Sequence, residues 1–297
     1  MPADASLVVF GSLARGEWTS GSDLDWTLLV DGQVSPGHYD AVLAAQQALA
    51  SKQPGTTGTF GGLAFSHDLV HLIGGQDDTN RNLTLRMLLL LESVALGNGE
   101  AHERVVKALL ERYLVHPSLF SPAVTPRFLL NDLVRYWRTL GVDFADKFHD
   151  QAGKKAVLRN VKLRFSRKLI FAAGLYVCLD WYQKTEGGQP EGGSAQIISH
   201  FRRLVDASPL EVIAGACVEL GAPGDIVGRI FDSYNLFLRY LGNEEIRGAL
   251  ETMRPGDASN DPYFSRLRKA SHRFQAGLLS LLTLGGLKAQ VRKYAIF

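Results

Sequence analysis

The sequence contains little cysteine, little net charge and no long run of apolar residues. Its two cysteines stand in no CxxC or Cys/His spacing, which excludes a disulfide framework. The longest apolar stretches, such as residues 87–91, fall far short of the ~20 residues that a membrane span needs. The first residues carry no basic segment of the kind that opens a secretory signal. We therefore expect a cytoplasmic protein without a membrane partner.

The net charge of +2 hides an uneven distribution along the chain. Residues 1–120 contain seven Lys and Arg against thirteen Asp and Glu, whereas residues 121–297 contain twenty-five against seventeen. An anionic partner of the second half explains this asymmetry, and so does pairing of the two halves with each other. With 46% hydrophobic and 21% charged residues, the composition is that of a folded globular protein.

Hydrophobic patterning divides the chain into two parts. Short runs rich in β-branched and aromatic residues predict strands at residues 7–10, 26–30, 61–66 and 69–73, and an alanine-rich helix follows the second of them at 36–52. From residue 83 onward, helical periodicity replaces the strand patterns. These features predict an α+β fold in which a small mixed sheet is followed by an all-α domain.

Two local signals mark the change from strands to helices. Asp78 and Thr79 precede the first long helix, predicted at 83–96, where a hydroxyl can cap the helix and a carboxylate complements its dipole. The segment 116–126 holds three prolines and two serines and is the best boundary candidate. The predicted domains are residues 1–118 and 119–297.

A glycine–serine turn and a pair of aspartates stand out between the first two predicted strands. Gly11 and Ser12 end the first strand, and ten residues separate Ser12 from Asp23-Leu24-Asp25 at the head of the second. Because alternate residues of a strand share a face, Asp23 and Asp25 project together while Leu24 turns to the core. Paired carboxylates favour a hard divalent cation, and a glycine turn lets the backbone approach a phosphate. The pattern indicates a site for a metal-bound polyphosphate.

This string closely resembles the motif of the nucleotidyltransferase superfamily, which includes DNA polymerase β, kanamycin nucleotidyltransferase and the minimal nucleotidyltransferases of toxin–antitoxin pairs. The match extends beyond Gly-Ser and Asp-x-Asp to Arg15-Gly16-Glu17 and Ser22, and the resemblance covers residues 7–75. It implies that a nucleoside monophosphate is transferred from an NTP to a hydroxyl acceptor, with release of pyrophosphate.

The resemblance also implies roles for individual residues. Asp23 and Asp25 would hold two Mg²⁺ ions, with Mn²⁺ as a possible substitute. Asp68 would be the third metal-binding carboxylate, since it is the only acid between residues 52 and 75 and heads a predicted strand. The contacts to ATP or another NTP would come from Gly11, Ser12, Arg15 and Ser22.

The identity of the acceptor stays open at the level of sequence. Residues 127–168 carry eleven Lys and Arg against four Asp, which suits a triphosphate or an anionic acceptor. A nucleic acid is less favoured than a protein side chain or a small molecule, because aromatic residues are not interleaved regularly with these charges. The alternative function is an antitoxin-like protein that keeps the fold, binds a nucleotide or a partner, and performs no chemistry.

Overall fold

The computed structural model describes residues 2–50, 52, 59–115, 126–150, 153, 155–185 and 193–294, and divides into two compact units. The first unit consists of Met1–Trp18, Ser22–Asp132 and Thr185–Ser208. The second consists of Thr19–Gly21, Leu133–Lys184 and Pro209–Phe297. The predicted boundary after residue 118 falls within 116–125, outside the described residues, and stays a prediction.

A four-stranded mixed sheet forms the centre of the first unit. Its strands are β1 (Ala5–Phe10), β2 (Trp26–Val30), β3 (Leu63–Phe65) and β4 (Ser93–Leu96). They lie in the order β3-β2-β1-β4, with β1 antiparallel to both of its neighbours and β2 parallel to β3. The small mixed sheet and the helical remainder confirm the predicted α+β class.

Apolar side chains hold the first two strands in register. Leu7 lies opposite Leu28 in the antiparallel pair, and Val9 lies opposite Trp26. Val9, Trp26 and Leu28 belong to one buried cluster with Leu24, and helix α2 adds Val42 to it. The opposite faces of the two strands are also buried, since Val8 and Leu29 are fully inaccessible to solvent.

Helices cover the remainder of the first unit. They are α1 (Gly11–Ala14), α2 (Pro36–Ala48), α3 (Ser66–Val70), α4 (Asn80–Leu91), α5 (Glu100–Leu114), the beginning of α6 (Arg127–Asp150) and, further along the chain, α9 (Gly193–Phe201) and α10 (Arg203–Asp206). Thr79 caps α4 as predicted, since its side chain accepts a hydrogen bond from the Asn82 amide.

All regular elements in the described part of the second unit are helices. It contains the rest of α6, then α7 (Ala156–Lys162), a π-helical turn (Leu163–Arg167), α8 (Lys168–Thr185), α11 (Pro209–Glu219), α12 (Gly224–Gly242), α13 (Glu244–Thr252), a 3₁₀ turn (Ala258–Asn260), α14 (Pro262–Leu282) and α15 (Leu287–Tyr294). Among the described residues, every helix is too short or too polar to cross a bilayer.

Two predicted elements in the first unit were wrong. Residues 69–73 do not form a strand, because Leu69 and Val70 belong to helix α3. The helix predicted at 83–96 ends at Leu91, and its last residues instead form the edge strand β4. Leucine repeats and strand-like alternation cannot be separated over so short a stretch.

The guanidinium of Arg86 is fully buried in the first unit and binds two carboxylates. It donates to Asp78 at 3.0 Å and 3.1 Å and to Asp132 at 3.0 Å, while its Nε donates to the hydroxyl of Tyr113 at 2.6 Å. The Tyr113 hydroxyl in turn donates to Asp132 at 2.6 Å. Burial alone would lower the pKa of Arg86, but the hydrogen bonds with Asp78 and the charge of Asp132 raise it above its usual value. This network joins α4 and α5 to the first residues of α6.

We expect Arg86→Met to lower the free energy of unfolding of the first unit by about 3–5 kcal/mol, because Asp78 and Asp132 would remain buried without their cation. Urea unfolding followed by circular dichroism measures this loss. Arg81→Met is the matched control on the same helix, since Arg81 is exposed and, among the described residues, donates only to the Leu63 carbonyl. Equal losses from the two variants would contradict the assignment of the Arg86 network as a main source of stability.

His102 is a second buried polar group in the first unit, at the start of α5. The Ser93 hydroxyl donates to the Leu89 carbonyl at 2.8 Å and therefore accepts from Nε2 of His102, also at 2.8 Å. Burial lowers the pKa of His102, opposed by Glu103 and assisted by Arg202. The folded protein therefore holds this imidazole neutral at a pH where the unfolded chain begins to bind a proton.

The free energy of unfolding should fall as the pH drops below about 6.5, the ordinary pKa of histidine. At that pH His102 binds a proton in the unfolded chain, whereas it stays neutral in the folded protein. Urea unfolding at pH 7.5 and at pH 5.5 measures the difference. In His102→Gln, whose amide can still donate to Ser93, the drop between the two pH values should be smaller. An identical drop in both proteins would show that other groups cause it.

Candidate active site

The end of β1 brings the backbone close to a carboxylate. Gly11 follows the strand with φ +70°, a conformation that costs other residues free energy. A Cβ placed on Gly11 would lie 3.5 Å from Oδ2 of Asp25. The glycine therefore brings the backbone close to the Asp25 carboxylate at the point where the chain turns into helix α1.

Asp25 stands at the head of β2, at the same edge of the sheet. The Phe10 amide donates to the Asp25 carbonyl at 2.9 Å, which extends the β1–β2 pairing by one step. Along the chain, Asp23 is exposed, Leu24 is buried in the core cluster and Asp25 is half-buried. This burial has the alternation expected of two carboxylates on one side and a core residue on the other.

Ser12 and Ser22 flank the two aspartates in the sequence motif. Ser12 is half-buried in the one-turn helix α1, where its carbonyl accepts from the Glu17 amide at 2.8 Å. Within the described part of the chain its hydroxyl makes no hydrogen bond. Ser22 is buried, at 8% exposure, immediately before Asp23. The Ser12 hydroxyl is therefore the better placed of the two to contact a ligand.

Arg15 is engaged by two acids rather than open to solvent. Its Nε donates to Glu17 at 2.8 Å, and its Nη1 donates to Glu92. The side chains of all three residues are at most 7% exposed. Such a buried, ion-paired guanidinium stiffens the segment after Gly11 and Ser12. Its predicted contact with a nucleotide would require these ion pairs to loosen, and it stays a prediction.

Sequence reasoning did not find Glu92. The residue lies directly before β4, whose first residue Ser93 pairs with Phe10, so it reaches the edge of the sheet where β1 ends. Glu92 was missed because the sequence predicted one helix over residues 83–96, which places Glu92 inside a helix and not next to a strand. The Arg15-Gly16-Glu17 match was visible, but the partner of Arg15 seventy-seven positions away was not.

The structure does not bring Asp68 to Asp23 and Asp25. Asp68 lies in helix α3, after the end of β3, and not at the start of a strand. Because β3 runs parallel to β2, the end of β3 is at the edge opposite to the head of β2, where Asp25 stands. The residues directly before β3 that approach the head of β2 are glycines, since the Gly61 amide donates to the Trp26 carbonyl at 2.7 Å and the Gly62 carbonyl accepts from the Leu28 amide at 2.9 Å.

The candidate metal ligands are therefore the two aspartates of the motif. Across the residues that the structure describes, no group of three or more His, Cys, Asp or Glu side chains is arranged to hold a metal ion. Two carboxylates leave most of the coordination sphere of Mg²⁺ to water and phosphate oxygens, which is how this ion is usually bound beside nucleotides.

Comparison with known proteins agrees with this geometry. The family model of the nucleotidyltransferase domain matches residues 1–53, which include β1, α1, β2 and α2. The match confirms the resemblance predicted from the Gly-Ser and Asp-x-Asp motifs for this region and supports a transferase. It covers 53 of the 297 residues and ends before β3. No curated protein matches the chain.

Gly11→Ala and Gly16→Ala form a matched pair that tests the close approach to Asp25. Both glycines have φ +70°, but a Cβ on Gly16 would meet no atom within 4 Å. We expect both variants to lose about 1–2 kcal/mol of unfolding free energy from backbone strain. Only Gly11→Ala places a methyl group against Oδ2 of Asp25.

Binding of Mn²⁺ in the presence of ATP, followed by electron paramagnetic resonance, measures the difference. The affinity for Mn²⁺ should fall in Gly11→Ala, because the methyl group takes up space next to Oδ2 of Asp25, and should stay near the wild-type value in Gly16→Ala. Equal affinities of the two variants for Mn²⁺ would show that Gly11 is needed only for the backbone conformation of the turn and not for metal binding.

Proposed function

We propose that this protein is a Mg²⁺-dependent nucleotidyltransferase that transfers a nucleoside monophosphate from ATP or another NTP to a hydroxyl acceptor and releases pyrophosphate. The observation that carries the proposal is the close approach of the Gly11 turn to Asp25. The nucleotidyltransferase-domain match over residues 1–53 supports the same class of reaction.

The residues at this edge fit a bound magnesium ion. Asp23 is exposed, Asp25 is half-buried, and the missing side chain of Gly11 leaves room beside Asp25. When bound, Mg²⁺ would neutralise charge on the triphosphate and make the acceptor hydroxyl a better nucleophile. Asp68 is left out of the proposed metal site because of its place beyond the end of β3.

The remaining contributions come from the protein itself. The Ser12 hydroxyl and the amides at the start of α1 would donate to phosphate oxygens, since the first amides of a helix are not used by its own hydrogen bonds. The Arg15 ion pairs would keep this segment in place beside Asp25. The protein would therefore act chiefly by orienting the α-phosphate for in-line displacement.

The acceptor is proposed to be a protein side chain or a small molecule. The second unit carries twenty-two Lys and Arg against thirteen Asp and Glu, an excess that favours anionic ligands. We keep a cytoplasmic location as part of the proposal, because Cys178 and Cys217 are both buried and unpaired, as is usual for thiols in a reducing compartment.

A binding protein without chemistry is the second candidate, and one observation favours it. Among the residues that the structure describes, no third acid joins Asp23 and Asp25 in a group that could hold a metal ion, so the site has fewer acids than the superfamily motif implies. Such a site could still bind a nucleotide through the Gly11–Ser12 turn.

Release of pyrophosphate from each of the four NTPs with Mg²⁺, measured over a broad panel of hydroxyl acceptors, separates the two candidates. We expect one or more NTPs to be turned over, and Asp25→Asn to slow this by a factor on the order of a hundred or more, since a carboxylate that binds the metal is lost. Asp31→Asn is the matched control beyond the other end of β2, where Asp31 pairs with Arg104 on the surface. Binding of nucleotide without any turnover would favour the binding protein.

A lysate incubated with α-labelled NTPs identifies the acceptor. Labelled macromolecules that appear with the wild type, and not with Asp23→Ala plus Asp25→Ala, would show a protein or nucleic-acid acceptor. Label confined to small molecules would show that the acceptor is one of them.

A further inference from the structure

The second unit contains a cavity of about 390 Å³ between α6, α7 and α14. We refer to it as the helical cavity. Its wall is mainly apolar and includes the rings of Phe144, Phe148 and Phe264. Phe148 remains 39% exposed although it is aromatic. The volume lies within the range of small-molecule sites, and three rings at one cavity offer flat apolar surfaces to a ligand.

Two arginines line the same cavity. Arg164 donates from Nε to the Asn160 side chain at 2.7 Å and lies 3.5 Å from the Ser271 hydroxyl. Arg268 is exposed, and its side chain has no hydrogen-bond or ion-pair partner among the described residues. Neither guanidinium pairs with a carboxylate within that part of the chain. The cavity therefore carries two positive charges that no described carboxylate pairs with.

A neighbouring lysine increases this positive charge. Lys168 follows Arg164 by one helical turn and donates to the Gln275 side chain at 2.6 Å. Its pKa is lowered, first by burial and then by the positive charge of Arg164. Burial is the larger of the two causes, and the contribution of Arg164 is that of a like charge close by.

The backbone around Arg164 has an unusual form. Residues Leu163–Arg167 make a π-helical turn between α7 and α8, and wide turns of this kind are rare and often occur at functional sites. The start of α7 is also strained, because Lys155 has φ +56° and is, in the described ranges, the single non-glycine residue with positive φ. It directly precedes Ala156, which lines the cavity.

Helical spacing places an aromatic ring beside a guanidinium at this site. Phe264 and Arg268 are four residues apart on α14 and share one face of the helix, as do Asn160 and Arg164. Because Asn160 and Ser271 hold Arg164, its guanidinium is oriented before a ligand arrives. An oriented guanidinium binds a carboxylate or phosphate through two parallel hydrogen bonds.

We propose that the helical cavity binds a small ligand that combines an aromatic ring with an anionic group, held by Phe264 and its neighbouring rings on one side and by Arg164 and Arg268 on the other. A nucleoside monophosphate and an aromatic carboxylate share this chemistry. The site lies wholly within the second unit and does not depend on the nucleotidyl transfer proposed for the first.

Isothermal titration of the full chain without added metal tests the proposal with AMP, UMP, benzoate and indole-3-carboxylate as probes, and with adenosine and indole as uncharged analogues. At least one charged probe should bind, and its uncharged analogue should bind at least about tenfold more weakly, because the charge-assisted hydrogen bonds are lost. Binding by the monophosphates alone, or by the carboxylates alone, would identify which of the two sources the site takes.

Arg268→Gln should weaken the binding of that probe at least about tenfold. Arg273→Gln is the matched control, since Arg273 is an exposed arginine on the same helix that does not line the cavity. Phe264→Leu should also weaken binding, because it removes a ring while keeping an apolar side chain. Failure of every probe to bind, or equal affinities in Arg268→Gln and Arg273→Gln, would overturn the proposal. Equal affinities in these two variants are expected if the nucleotide binds at the Gly11–Asp25 site and not in the helical cavity.

Discussion

The hydrogen bond from the Phe10 amide to the Asp25 carbonyl determines which residues meet at the candidate active site. It continues the antiparallel pairing of β1 and β2 outward by one step, so the turn after β1 lies against the residue that heads β2. Strand β4 is also antiparallel to β1, and Glu92, directly before β4, therefore reaches the same edge and binds Arg15. Strand β3 runs parallel to β2, which places Asp68, after the end of β3, at the other edge.

Sequence analysis correctly predicted the local structure around the candidate site where it depends on residues close together in the chain. The strand–turn–strand order around Gly11 and the burial of Leu24 between two aspartates follow from short patterns. The position of Asp68 depends instead on whether β3 runs parallel or antiparallel to β2, which the local sequence does not predict. Asp68 was assigned as the third metal-binding carboxylate because it is the only acid between residues 52 and 75. The strand that it was expected to head, at residues 69–73, does not form.

The Arg86 network shows the same limit in the core. Asp78 was interpreted from sequence as a residue that complements the dipole of the following helix, and its position just ahead of α4 agrees with that. Its carboxylate also accepts two hydrogen bonds from Arg86, and Asp132 binds the same guanidinium from a distant part of the chain. Buried charge of this kind is specified by the complete fold, since each member is stable in the interior only when the others are present.

The path of the chain through its two units limits how the protein can be divided. The first unit is completed by residues 185–208, where α9 packs on α5, α10 packs on α4, and Arg202 pairs with Glu103. The second unit includes Thr19–Gly21, which lie between Gly11 and Asp23 of the sequence motif. No single cut of the chain therefore yields two whole units. During synthesis, the first unit is complete only after residue 208 has been added. The segment that matches the nucleotidyltransferase-domain model therefore does not form a whole compact unit by itself.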